Sequence, residues 1–189
     1  AKNGARIILA EDKSRFGGSL LTSEVSIGNQ NGKDWADKII GELKEMPNVT
    51  IKNRAQVFGY YDHNMLVMSE RISDHLPKTK KYNPKQRLWY IRAKEVIISS
   101  GSIERPLVFG NNDTPGVMLS SAAKEYLKIY GVLVGKKPLV FTNNDSGYET
   151  AIEFKKNGID PIVLDTRKDP NSEIIKEAKD LNINIKNSY

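Results

Sequence analysis

The sequence predicts an α/β fold with an inserted antiparallel β-meander, and three observations predict it. Residues 6–10, 95–99 and 162–164 are short apolar runs of the kind buried in parallel sheets, and the first and last are followed by acids, Glu11 and Asp165. Apolar residues recur at helical spacing after the first run, as in Trp35, Ile39, Ile40 and Leu43. Between residues 49 and 91 the pattern turns into short strands separated by turn residues.

Each element has its own local reason. Residues 6–10 form the opening strand, and a polar loop with Phe16, Gly17, Gly18 and Ser19 follows. The helix carrying Trp35 stops at Pro47. Residues 49–51, 55–60, 65–68 and 87–91 read as strands, with Asp62, His63 and Asn64 as a hairpin turn. Residues 95–99 resume the buried-strand pattern and lead into Ser100, Gly101 and Ser102. A helix is expected over residues 121–130, closed by Gly131. A second α/β unit begins at Pro138. It runs as strand 139–141, helix 147–157 ended by Gly158, strand 162–164, helix 173–181 and strand 183–185.

Composition removes several classes of function. With 39% hydrophobic and 28% charged residues, the chain of 189 residues is globular in character. No apolar run approaches the roughly 20 residues of a membrane-spanning helix. Ala1, Lys2, Asn3 and Gly4 lead straight into a strand, so no signal peptide is expected; a start other than Met points to an excised fragment. The absence of cysteine excludes a redox disulfide, a thiolate nucleophile and a cysteine-held zinc in this chain, and fits an expected cytoplasmic location. Two histidines, His63 and His75, are too few for a metal site. The net charge is +6, densest at Lys78, Lys80, Lys81, Lys85 and Arg87 with Tyr82 and Trp89 among them. These cations cluster around Pro77, Asn83 and Pro84 rather than along one helix face. They therefore read as a solvated loop, and neither nucleic acid nor membrane is expected as a partner.

The residues that carry chemistry sit at strand ends and in glycine loops. A carboxylate closing the second strand of a dinucleotide fold accepts hydrogen bonds from a ribose, and Glu11 stands at such a place; its charge favours NAD or FAD over NADP. The alternative is a solvent-facing strand end. Gly17 and Gly18 let backbone approach a diphosphate, and Ser19 adds a hydroxyl, unless they form an ordinary loop. Ser100 and Gly101 leave room where a chain passes a cofactor, or simply turn; a side chain at Gly101 is expected to collide with nucleotide or backbone. In the second unit the glycine fingerprint reads Thr142, Asn144 and Gly147, with Asp165 at the ribose-acid place. Only Gly147 is small enough, so this unit reads as a framework that has lost ordinary dinucleotide binding. Arg105 offers a phosphate contact, a partner contact or a surface ion pair. No nucleophile, base and orienting group come together, so no catalytic residue is assigned.

Several longer motifs are specific. The segments Phe58-Gly59-Tyr60-Tyr61-Asp62-His63-Asn64, Arg87-Leu88-Trp89-Tyr90-Ile91-Arg92-Ala93-Lys94 and Ile103-Glu104-Arg105-Pro106-Leu107-Val108-Phe109 resemble the alpha subunit of heterotetrameric sarcosine oxidases. Asn111-Asn112-Asp113-Thr114-Pro115-Gly116-Val117-Met118-Leu119 and Thr142-Asn143-Asn144-Asp145-Ser146 extend the resemblance over essentially the whole chain. Related amine-oxidising complexes, such as N-methylglutamate dehydrogenase, share parts of these motifs.

The resemblance implies a Rossmann-like FAD/NAD(P)-binding fold of the two-dinucleotide-domain flavoprotein type, truncated at both ends. It implies residues 1–137 as a partial dinucleotide-binding domain with the inserted meander, and residues 138–189 as a partial second unit. It also implies an enzyme that oxidatively demethylates sarcosine to glycine, with oxygen as oxidant and tetrahydrofolate as one-carbon acceptor. Beta, gamma and delta subunits would be its partners, and FAD and FMN its catalytic flavins elsewhere in the complex. By the resemblance this region would hold NAD through Glu11, Asp12, Lys13, Ser19 and the backbone of Val57, and the residue reading above adds Gly17, Gly18, Ser100 and Gly101. Alternatives are an FAD-dependent NAD(P)H reductase, a related amine dehydrogenase subunit, or a non-catalytic interaction module.

Overall fold

A computed structural model describes residues 1–77 and 82–188. Two compact units compose the chain, Ala1–Ser100 and Gly101–Tyr189. The sequence places its division at residue 137 instead, and the difference concerns residues 101–137. These keep company with the second unit because their helix packs on the next one, as described below.

In the first unit, strand β1 (Ile7–Ala10) pairs in parallel with β4 (Val49–Lys52), Ile7 opposite Val49 and Ala10 opposite Lys52. Between them lie a 3₁₀ turn (Gly18–Leu21), a two-residue ribbon of β2 (Ser26–Ile27) with β3 (Gln30–Asn31), and helix α1 (Gly32–Lys44). The Asn31 side chain accepts from the Lys33 amide at 2.9 Å, and Asp34 and Lys44 lie at the dipole ends that suit their charges. The ribbon and the 3₁₀ turn are finer than the hydrophobic period reveals.

The meander is present as expected. Strands β5 (Ala55–Tyr61), β6 (Met65–Arg71) and β7 (Gln86–Arg92) form an antiparallel sheet in that order. A bulge falls between Val57 and Gly59, so Phe58 has no register partner. Gly59 leaves room for the Tyr61 ring, which lies 2.5 Å from where a β-carbon would stand and would have to shift to admit one. The turn Asp62–Asn64 places His63 at φ 58°, and Tyr60 Oη donates to Asn64 Oδ1 at 2.7 Å. His63 therefore shapes a turn.

One expected strand is absent. Residues 95–99 form no strand, and Ile97 is 89% exposed. A parallel strand is stable only when neighbours receive its backbone hydrogen bonds, and no strand among the described residues does so.

In the second unit, helix α2 (Ser120–Tyr130) ends at Gly131, whose φ of 65° and amide donating to Leu127 O close it in the left-handed manner glycine favours. Then β8 (Leu139–Thr142), α3 (Ser146–Lys156), β9 (Ile162–Asp165), α4 (Glu173–Asp180) and β10 (Asn184–Asn187) alternate. The sheet is parallel with β9 in the middle. Val140, Tyr148, Ala151, Ile152, Val163, Ile175, Ala178 and Ile183 form its core. Helix α2 joins this unit through Lys124–Glu149 and Lys128–Glu153 ion pairs at 2.6 and 3.0 Å and through Thr150 Oγ1 donating to Ser120 O.

Of the basic stretch, Lys78, Lys80 and Lys81 lie outside the described residues. Lys85 is exposed, with its carbonyl accepting from the Ile72 and Ser73 amides; Arg87 stands on β7 beside Glu70. No helix among the described residues is long and apolar enough to cross a membrane.

Candidate functional site

Glu11 follows β1 at the carboxyl end of a parallel pair, the end where α/β sheets bind ligands. Its amide donates to Lys52 O at 2.9 Å, and its carbonyl accepts from the Ala55 amide at 2.8 Å. The Arg54 amide donates to Lys13 O at 2.9 Å, so Glu11 and Lys13 are tied to the passage from β4 into β5. The Lys13 amide donates to Glu11 Oε1 at 3.0 Å and fixes the side chain. Burial pushes the Glu11 carboxyl above its ordinary pKa, and neighbouring Asp12 adds to this, against the Lys13 amide. Asp12 and Lys13 are exposed.

Gly17 and Gly18 have φ of 128° and 53°, which glycine adopts without strain. Gly17 is also a close approach: a β-carbon would lie 3.0 Å from Leu21 Cδ2 and 3.4 Å from Ala36 Cβ. Ser19 is exposed, and its carbonyl accepts from the Thr22 and Ser23 amides. Val57 sits on β5 opposite Met68 at the start of the bulge, 42% exposed. A groove of about 600 Å³ runs along the loop between Arg15, Phe16, α1 and β4, but Glu11 is not part of its wall.

Ser100 is exposed, and Gly101 has φ 67° with nothing within 4 Å of a β-carbon. Glycine at 101 thus meets a backbone angle, and the expected collision with neighbouring backbone does not occur. Arg105 makes no ion pair among the described residues. Its neighbour Glu104 does the structural work, accepting from the Ser120 and Ser121 amides at 3.3 and 2.8 Å and from Ser120 Oγ at 3.1 Å. Leu119, the residue before α2, offers no capping side chain, and Glu104 supplies the missing acceptor.

At the second unit's fingerprint, Thr142 Oγ1 accepts from the Asn144 amide and donates to the Asn144 carbonyl. Asn144 Oδ1 accepts from the Ser146 amide at 2.9 Å and from Ser146 Oγ. A β-carbon on Gly147 would stand 2.7 Å from Thr142, so this glycine makes room for threonine. Asp165 is fully buried and accepts from the Tyr148 hydroxyl at 2.7 Å, the Arg167 amide at 2.9 Å and the Arg167 guanidinium. Tyr148 and Arg167 lie outside the quoted motifs and Asp145 stands in one without an assigned role; only the two-residue spacing of Asp165 and Arg167 hints at the pair. Among the described residues, no group of histidines and carboxylates is placed to hold a metal.

The chain is 42% identical over 165 residues to the sarcosine oxidase alpha subunit of Rhizobium meliloti (strain 1021), covering 87% of this chain and 17% of that one. The chain is related in sequence to the sarcosine oxidase alpha subunit. The counterpart from Corynebacterium sp. (strain P-1) is 36% identical over 169 residues, covering 88% and 18%. The chain thus spans less than a fifth of the length of these relatives. No family model matches it. Among solved structures, L-proline dehydrogenase from P. horikoshii superposes with a TM-score of 0.65 at 22% identity, covering 88% of this chain and 32% of that one. Thioredoxin reductase from T. acidophilum gives 0.64 at 14% identity, covering 99% and 59%. The expected fold class is the one shared with these oxidoreductases, and the resemblance read from the motifs holds across most of the chain.

Proposed function

We propose that the first unit holds the ribose of NAD as part of a sarcosine oxidase alpha subunit. The observation carrying this reading is Glu11: a half-buried carboxylate at the carboxyl end of a parallel strand, fixed by the Lys13 amide. A carboxylate offers about four lone-pair sites. The contacts with the Lys13 amide and Asp12 leave acceptor capacity for ribose hydroxyls. The donor set fits the cofactor: Asp12 and Lys13 flank the acid, Gly17 and Gly18 allow close backbone approach, Ser19 offers a hydroxyl, and Val57 and Ser100 are exposed. When bound, NAD would serve this region as a held nucleotide, while FAD and FMN elsewhere in the complex supply the redox chemistry.

The whole-protein reading rests on the relatives' name together with what the motif resemblance implies. The complex would oxidise sarcosine to glycine with oxygen, pass the one-carbon unit to tetrahydrofolate, and include beta, gamma and delta subunits in the cytoplasm. The test is the nucleotide released when the intact subunit is denatured. NAD near one per subunit is expected, with Glu11→Ala retaining less than about a tenth of it. Release of FAD in its place, or full NAD content in the variant, would reject the reading. Because Glu11 is held above its ordinary pKa, retention of NAD should weaken as pH falls and the carboxyl loses its acceptor character.

A further inference from the structure

A strand–helix–strand unit holds a dinucleotide between two points. The diphosphate lies over the start of the helix, and the ribose rests on the acid closing the second strand. In the second unit one side chain already joins those points. Arg167 Nη1 donates to Asp145 Oδ1 at 2.9 Å, at the start of α3. Its Nε and Nη2 donate to Asp165 Oδ1 and Oδ2 at 3.0 and 2.8 Å, at the end of β9.

Both ends of the span are already satisfied. Asp165 has no exposed surface and takes a further bond from Tyr148 Oη, so its lone pairs are occupied. At the helix start, the Asn144 and Ser146 amides are taken by Thr142 Oγ1 and Asn144 Oδ1. Guanidinium is a planar cation with five donors and no acceptor, which suits two carboxylates. A dinucleotide entering here would break three charge-assisted bonds. It would leave Asp165 buried without its cation and set its own diphosphate against the Asp145 carboxylate.

We propose that Arg167 stands in the nucleotide's place, closing the second unit to dinucleotides and holding β9 to α3 with no ligand. This rests on the second unit alone and does not depend on what the first unit binds.

Hydrogen exchange on the intact subunit in its complex, resolved to the peptides spanning 142–148 and 163–168, tests both halves. In the wild type, 1 mM NAD or ADP-ribose is expected to leave the protection of these peptides unchanged, whatever it does to residues 9–20. A tenfold or greater gain of protection there overturns the proposal, because the second unit would then be a working nucleotide site. In Arg167→Ala, the same peptides are expected to exchange at least tenfold faster, with the nucleotide content of the subunit unchanged. Unaltered exchange overturns the bracing role. If that variant fails to assemble, Arg167→Lys decides. Its ammonium lacks the fork that spans two carboxylates, so faster exchange at 144–148 is expected, and wild-type exchange there refutes the span.

Discussion

Tyr148 donates its hydroxyl proton to Asp165 across 2.7 Å, and neither residue has measurable exposure. Burial alone would raise the Asp165 pKa. Hydrogen bonds from Arg167 and Tyr148 outweigh it and hold the carboxyl below its usual range. A carboxyl depressed in the folded state adds stability above its unfolded pKa of about 3.9 and loses it as pH falls through the folded value. Tyr148→Phe removes one of those bonds while Arg167 remains. The expected cost is about 1–3 kcal/mol, with the acid-unfolding midpoint moving to higher pH. Denaturant titrations at pH 7 and pH 3 check this: the variant's deficit should be larger at pH 7, and an equal deficit at both would contradict the coupling.

Glu104 should matter to α2 although it lies sixteen residues before Ser120. Burial pushes its pKa up, but the hydrogen bonds from Ser121 and Ser120 win and lower it. Its contribution is therefore lost on acidification through the folded pKa. Glu104→Ala should cost about 0.5–2 kcal/mol, as loss of a helix cap does. Amide exchange in residues 120–124 should rise, while Arg105→Ala leaves it unchanged.

Glu70 anchors the meander. It is 9% exposed, receives Lys52 Nζ at 3.0 Å and Trp89 Nε1 at 2.7 Å, and has Arg87 Nη1 at 3.7 Å. Lys52 and Arg87 also lie over the Trp89 ring, at 4.9 and 5.5 Å. Burial opposes ionisation, yet Lys52 and Trp89 lower the pKa overall. Glu70→Ala should destabilise by roughly 1–3 kcal/mol, mainly because the Trp89 indole and Lys52 lose their charged acceptor while the half-exposed Arg87 stays solvated. A red-shifted, weaker Trp89 emission would accompany it; a spectrum identical to the wild type would count against the network.

The two glycines of the expected site should respond unequally to alanine. At Gly101 only the angle is strained, φ 67° in open space, for a cost of about 1–2 kcal/mol. At Gly17 the strain of φ 128° adds to crowding by Leu21 and Ala36. Gly17→Ala should therefore be the more destabilising, read as the difference in thermal midpoint of the intact chain. The reverse order would show that the loop moves aside freely.

Most elements were legible because each is fixed by nearby residues. The α1 stripe, the Asp62–Asn64 turn with His63 at positive φ, the Gly131 stop and the strand reaching Asp165 need only local patterns. The strand expected over 95–99 failed for the opposite reason: apolar content records the wish to be buried, whereas a strand exists only beside a partner. At position 101 glycine meets a positive φ with no neighbouring backbone in reach, and sequence cannot separate a backbone angle from a steric contact.

By itself the sequence determined the α/β class, the meander, the acid at Glu11 and the loss of glycines at Thr142 and Asn144, because period, turn chemistry and residue size are properties of neighbours along the chain. Only the tertiary structure decided that Asp165 is occupied by Tyr148 and Arg167, that Glu104 caps α2, and that Glu70 gathers Lys52 and Trp89. Those pairings join residues distant in sequence or turned toward each other by a fold. A hydrogen bond depends on a few tenths of an ångström in space that no one-dimensional pattern records.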